Sequence, residues 1–318
     1  MAIRLVVLAA AGILGISVVI AAGRDGPAVP PQVVEGPPVG PGPTIAAAGD
    51  IACDPGYSAF DDGRGSGMEC RQLATSELLV GAGYAAVLAL GDIQYEDATY
   101  AKFLASYDPS WGRVRAITKA VPGNHEYRTG GAHAYFRYFG AGAGEPSKGY
   151  YSFDLGGWHL VALNSNCSEI GGCGVGSPQE RWLRADLSAH AAFCTLAYWH
   201  HPRFSSGPHG SDSTYEAFWR ALSEANADAV LVAHDHGYER FAPLDGAGQL
   251  DADRGMRQFV VGTGGRSLRG FPSVGAASEA RDSSSFGILE LKLGAEAYGW
   301  RFRPAVGTFT DAGSAHCH

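Results

Sequence analysis

Five apolar runs in this sequence end in side chains able to bind a metal ion. "TIAAAGD" (44–50) ends in Asp50, and "AAVLALGD" (85–92) in Asp92, with Tyr95 three residues further on. "AITKAVPGN" (116–124) ends in Asn124 and is followed by His125. "CTLAYWHH" (194–201) supplies His200 and His201, and "DAVLVAHDH" (228–236) supplies His234 and His236. The last two imidazoles are two positions apart, so on extended chain they point the same way. Hard oxygen donors mixed with imidazoles suit iron, zinc or manganese, and the set exceeds what one ion needs. A carboxylate lying between two groups of ligands can bridge two ions, and Asp92 is the candidate. Two ions roughly 3.5–4 Å apart clamp both the attacking and the leaving oxygen of a displacement at phosphorus. Taken singly, each of these residues is more readily a turn or a satisfied core group than a ligand. Five strand ends in one ordered series point to a site.

The elements that must position them alternate. Between the apolar runs lie amphipathic patterns at 68–83, 99–108, 177–190 and 213–227, and Ser177 with Glu180 forms a capping box for the third. Continuous apolar strands alternating with such helices indicate a largely parallel sheet covered on both faces. Alternating stretches at 149–165, "MRQFVVGT" (256–263) and "FGILELKL" (286–293) add antiparallel strands. The expected fold class is α/β, with two mixed β-sheets packed as a sandwich and flanked by helices. Ligand sites in such sheets lie outside the carboxyl ends of the strands, so the strand-end residues should converge.

The ordered blocks "GD" (49–50), "GDIQYED" (91–97), "GNHE" (123–126), "AYWH" (197–200) and "HDHGYER" (234–240) resemble the calcineurin-like metallophosphoesterases, and more narrowly the purple acid phosphatases. The resemblance covers about residues 44 to 262. Where other metallophosphoesterases carry a histidine two residues after the first aspartate, this chain has Ala52, and it carries the tyrosine of the purple enzymes instead. Ala52, Ala197 and Ala233 depart from the family pattern, all at non-ligand positions. The resemblance implies two metal ions, Fe(III) plus a divalent ion (Fe, Zn or Mn). It assigns Asp50, Tyr95 and His236 to one and Asn124, His200 and His234 to the other, with Asp92 bridging. Such a pair outweighs the negative charges of Asp50, Asp92 and a Tyr95 phenolate, so the site attracts phosphate. His125 would contact phosphate or protonate the leaving oxygen. His209, in "HHPRFSSGPHG" (200–210), stands where the purple enzymes carry a substrate-loop histidine. His201 is a further catalytic candidate, with a structural role as its alternative. Arg240 would order the loop of His234 and His236. His133, His159, His190, His316 and His318 have no motif around them and are read as surface or core residues.

Composition bounds the rest. The 318 residues are 46% hydrophobic, with 45 glycines and a net charge of −8, and carry no electrostatic footprint for nucleic acid. Residues 1–22, with Arg4 before an apolar stretch, read as a signal peptide or N-terminal anchor. Membrane contact is expected only if that segment stays uncleaved. Residues 23–43, rich in proline and glycine, read as a linker, and 44–318 as the catalytic domain. Six cysteines in an exported chain allow 15 pairings. Cys53 with Cys70 and Cys167 with Cys173 bracket short loops. Cys194 with Cys317 follows by elimination, a buried free thiol at Cys194 being the alternative. The expected function is an exported phosphatase that hydrolyses phosphate monoesters by attack of a metal-bound hydroxide. A phosphodiesterase or nucleotide hydrolase on the same site, or a non-catalytic metal-binding protein, are the alternatives.

Overall fold

The computed structural model describes residues 33–190 and 192–318. The expected signal or anchor, 1–22, and the first part of the linker, 23–32, lie outside the described residues. Among the described residues the chain forms two seven-stranded sheets. The first runs in the order β1 (Val33–Val34), β14 (Ala312–His316), β13 (Ala297–Val306), β12 (Phe286–Leu293), β2 (Thr44–Ala48), β3 (Ala86–Leu90) and β4 (Thr118–Val121). The second runs β11 (Ser278–Asp282), β9 (Tyr238–Phe241), β10 (Arg257–Val261), β8 (Ala229–Val232), β7 (Cys194–Tyr198), β6 (Trp158–Ala162) and β5 (Tyr151–Leu155). Strands β2, β3 and β4 are parallel, as are β6, β7, β8 and β10. The other pairings are antiparallel, apart from β1 with β14. The sandwich of two mixed sheets is the expected fold class.

The strand residues explain the layering. Along β6, β7 and β8, Leu160, Leu196 and Leu231 join Leu88, Leu90, Leu289 and Leu291 of the first sheet in one buried cluster. Their neighbours Val161, Ala197, Val230 and Val232 point the other way, into a second cluster. There they meet Leu183 of α4 (Pro178–Ala189) and Phe218, Trp219 and Leu222 of α5 (Glu216–Glu224). Full burial of each such side chain contributes roughly 1.5–3 kcal/mol. Three shorter helices, α1 (Gln72–Glu77), α2 (Tyr100–Lys102) and α3 (His133–Phe139), complete the set.

Several details differ from expectation. The pattern at 99–108 gives only a short α2 before the backbone widens into a π-turn over Phe103–Tyr107. The capping box is half made. Ser177 accepts from the Glu180 amide, but the Glu180 carboxylate accepts from Gly176 N instead of returning to Ser177. Residues 33–43, read as linker, lie along the first sheet: β1 pairs with β14, Pro37 O accepts from Ser314 Oγ, and Pro43 O accepts from Leu293 N. Residues beyond 265, which matched no block, supply β11 to β14.

Candidate metal centre

The parallel strands set the site. Asp50, Asp92 and Asn124 follow two or three residues after the ends of β2, β3 and β4, and His200 and His234 two residues after the ends of β7 and β8. Asp50, Asp92 and His234 all adopt positive φ (56°, 47° and 68°), a conformation that costs of the order of 1–3 kcal/mol for a non-glycine residue. Reciprocal contacts hold them there. His234 N donates to Asp50 Oδ2 at 2.9 Å, and His125 N donates to Asp92 Oδ1 at 2.9 Å. The glycines before Asp92 and Asn124 are needed for close approach. A Cβ on Gly91 would lie 2.7 Å from the His200 ring, and one on Gly123 would lie 2.2 Å from Asp92 Oδ1.

All seven expected ligand residues lie at this edge. Tyr95 Oη lies 2.6 Å from Asp50 Oδ1, 3.0 Å from Asp92 Oδ2 and 3.1 Å from His236 Nε2. His236 Nε2 is 3.2 Å from Asp50 Oδ1, and His200 Nε2 is 3.3 Å from Asp92 Oδ2 and 3.2 Å from His234 Nδ1. Asp92 therefore touches both groups of donors. The rear nitrogens are taken, His200 Nδ1 by Leu90 O at 2.8 Å and His236 Nδ1 by Ser267 Oγ at 2.8 Å, an arrangement that aims the other nitrogen of each ring inward. Asn124 Oδ1 is buried with no hydrogen-bond partner among the described residues, and such an orphan calls for an explanation. A cation supplies one: an amide oxygen, two carboxylates, a phenol and three imidazoles fit a pair of hard-to-borderline ions.

The electrostatics agree. Burial would raise Asp50, but the charge and hydrogen bond of His236 together with the His200 charge outweigh it and bring the carboxyl down to about 2. Burial would lower His200, but Asp92 lifts it to about 9. Burial, then the carboxylates of Asp50 and Asp92, push the Tyr95 phenol well above its ordinary range. Without a cation, then, Tyr95 is a donor to carboxylates, and only added positive charge would favour the phenolate.

The remaining candidates separate. His125 is buried, with Nδ1 on Glu96 O at 2.5 Å and Nε2 directed at the site, 3.7 Å from Asp92 Oδ2. His209 is exposed at the mouth, its ring 4.1 Å from that of His234 and its Nε2 2.9 Å from Arg269 Nη1. His201 sits behind His234 with Nδ1 on Ser165 Oγ at 2.7 Å. Burial and the His200 charge lower its pKa to about 3. Arg240 is not brought to the histidine loop. Its Nε and Nη2 donate to Asp311 at 2.8 and 3.1 Å and its Nη1 to Glu279, so it reaches His236 only through the β9 backbone. The three disulfides pair as expected, Cys53–Cys70, Cys167–Cys173 and Cys194–Cys317, with no free thiol among the described residues.

Four residues at the site were not singled out in sequence. Glu126, the last residue of "GNHE", takes N–H bonds from Gly123, Ile93 and Gln94. Burial and then the Asp92 charge raise it to about 7. Asp235, between the two histidines of "HDH", receives Ser205 Oγ and His209 N, and so ties the loop of His209 to that of the ligands. Their motif positions were a usable signal. Ser267 and Arg269 lie beyond every block and carried none.

A sandwich of mixed sheets with metal donors at the strand ends defines a class of hydrolase scaffold. The calcineurin-like phosphoesterase family model matches residues 44–238, and the chain belongs to that family; purple acid phosphatases are among the proteins it is similar to. Enzymes of this family use a dinuclear metal centre. An uncharacterized protein of Mycobacterium tuberculosis (strain ATCC 25618 / H37Rv) is 30% identical over 183 residues, 46% of this chain and 34% of that protein. Purple acid phosphatase 15 of Arabidopsis thaliana is 29% identical over 157 residues, 42% of this chain and 29% of that protein. The chain thus spans about a third of the length of these curated relatives. Purple acid phosphatase from yellow lupin (Lupinus luteus) seeds shares the fold, with a TM-score of 0.71 at 18% identity over 91% of this chain and 55% of that one.

Proposed function

We propose that this chain is an exported, binuclear metal-dependent phosphatase that hydrolyses phosphate monoesters. The observation that carries this reading is Asn124 Oδ1, buried without a hydrogen-bond partner among the described residues, at the edge where Asp50, Asp92, Tyr95, His200, His234 and His236 meet. Asp50, Tyr95 and His236 would hold one ion, Fe(III), and Asn124, His200 and His234 a divalent ion (Fe, Zn or Mn), with Asp92 between them. When bound, such a pair activates water and offsets charge developing on the phosphoryl oxygens. The protein's own groups do the rest. His125, with Nδ1 held by the Glu96 carbonyl, presents Nε2 to protonate the leaving alcohol. His209 and Arg269 offer donors at the mouth for the outer phosphoryl oxygens. Glu126 clamps the backbone on both sides of the centre, so that Asp92 and Asn124 stay in place.

Export is supported by the apolar segment at 5–22 and by three disulfides, which persist in oxidising compartments. Among the described residues no helix is long and apolar enough to cross a membrane. The decisive experiment is metal analysis of the purified protein together with a panel of monoesters and diesters. Two ions per chain with faster turnover of monoesters is the expected result. A fully loaded protein inert on both classes would leave a metal-binding role only, and a preference for diesters would shift the substrate class. Fractionation of the native host tests export, and full-length chain in the cytosol would contradict it.

A further inference from the structure

A second group of metal-binding side chains lies away from the strand-end centre. His159 on β6 is buried, its side chain 1% exposed. Its Nδ1 pairs with Asp154 Oδ1 at 2.8 Å and its Nε2 with Asp186 Oδ2 at 2.9 Å. Asp186 lies in the last turn of α4 and His190 follows it at the helix end. Residues four apart on a helix share a face, and the His190 ring stacks on that of His159 at a centroid distance of 4.4 Å. One ligand atom from each of His159, Asp186 and His190 lies within 4.8 Å of the others.

We propose that His159, Asp186 and His190 form a separate site for a borderline divalent cation, with Zn²⁺ the best fit. Two imidazoles and a carboxylate suit zinc, which leaves a fourth position for water. The surroundings have the features of a built site. Asp154 on the far nitrogen of His159 is the contact that orients a ligating imidazole, and Ser152 Oγ holds the other oxygen of Asp186 at 2.8 Å. Nitrogen and oxygen bound to one zinc at about 2.0–2.1 Å sit roughly 3.3 Å apart. The observed 2.9 Å therefore needs only a small opening on that side, while His190, stacked on His159 with its Nδ1 2.8 Å from Asp186 O, must turn its ring to bring a nitrogen to the ion. Access exists as well, because the His190 side chain is 42% exposed and a surface recess lined by Asp154, Gly157, His190 and Ala192 opens beside it. A bound ion would staple the end of α4 to the β5–β6 hairpin, just before the chain enters β7 and runs on to His200.

The test strips the full chain of metal and titrates it with Zn²⁺ alone against a chromophoric chelator. His190→Ala, at a half-exposed position, should fold normally by circular dichroism and bind one Zn²⁺ equivalent fewer than wild type. Its phosphatase turnover on a monoester should stay within about twofold, the range expected of a surface change remote from the chemistry. His159→Gln should lose the same equivalent, and the double variant no more than one. Equal zinc stoichiometry in wild type and His190→Ala would overturn the proposal and leave the cluster an ion-paired pin. Loss of the equivalent together with loss of turnover would also overturn it, because the ion would then belong to the catalytic centre. Failure of the proposed phosphatase activity would show in turnover alone and leave the zinc count unchanged.

Discussion

Two buried charged clusters lie at opposite ends of the short segment from Asp235 to Arg240, and they behave differently. Around Arg240, which is 0% exposed, the groups are matched. Asp311 accepts from Arg240 at 2.8 and 3.1 Å, from Tyr238 Oη at 2.6 Å and from Trp300 Nε1 at 3.2 Å. Around Asp92, oxygens and imidazoles crowd together with no Lys or Arg among their hydrogen-bond partners in the described residues, an amide oxygen is left over, and three residues are held at positive φ. Buried charge is tolerated when paired and is costly otherwise. The closed cluster is therefore structure, whereas in the open one Asp50 and Asp92 face imidazoles and a phenol, a donor set that fits a cation. Burial and polarity alone do not tell them apart; the state of their hydrogen bonds does.

That contrast can be broken by mutation. Asp92→Ala and Asn124→Ala each remove a donor from the open cluster. Both should lose metal, with activity falling by more than the 10–100-fold typical of groups that only orient ligands. Metal analysis and turnover together check this, and normal metal content in either variant would contradict the assignment. His125→Ala should keep its metal and lose about 10²–10⁴-fold in turnover. The loss should be greatest on substrates with poor leaving groups, and full turnover there would remove His125 from its role.

The closed cluster predicts the opposite pattern. Arg240→Met strips Asp311 of its charged partner and should cost about 3–5 kcal/mol of stability, read as a lower urea midpoint. Metal content per folded molecule should be unchanged, and its loss under native conditions would mean that Arg240 does order the histidine loop. Tyr95→Phe sharpens the open cluster without emptying it. Iron-loaded wild type should be coloured by tyrosinate-to-iron charge transfer, and the variant colourless with packing preserved. A wild-type protein that is iron-loaded, active and colourless would refute ligation by Tyr95.

The smallest effect lies at a paired carboxylate remote from both clusters. Burial would raise Glu290, but hydrogen bonds from Tyr84, Arg301 and Arg303 hold it below the usual carboxylate range. Its contribution is thus present above the unfolded pKa near 4.3 and is lost as pH falls through the lower folded value. Glu290→Gln should cost under about 1 kcal/mol at pH 7 and flatten the acid limb of the stability curve. An unchanged acid limb in denaturant titrations from pH 3 to 7 would show that this carboxylate gains nothing from its partners.

Much of the molecule was legible in the order of its residues. Continuous apolar runs, each closed by a donor, marked the parallel strands and pointed to seven candidate ligand residues that the fold brings to one edge, because a strand buried on both faces can place polar chemistry only at its end. The loop-bracketing cysteines were readable for a similar local reason. Distant partners were not. Arg240 follows the ligand histidines in sequence, yet its guanidinium turns to Asp311, which β13 and β14 bring across the sandwich. Ser267 and Arg269 reach His236 and His209 from a loop that no motif marks. Alternation marked 286–293 as a strand, but nothing local revealed which sheet the strands after 265 join. Local pattern sets which residues end a strand, and only the packing of one sheet against the other decides which side chains meet across the gap. That packing also makes two neighbouring clusters of charge, one satisfied and one open.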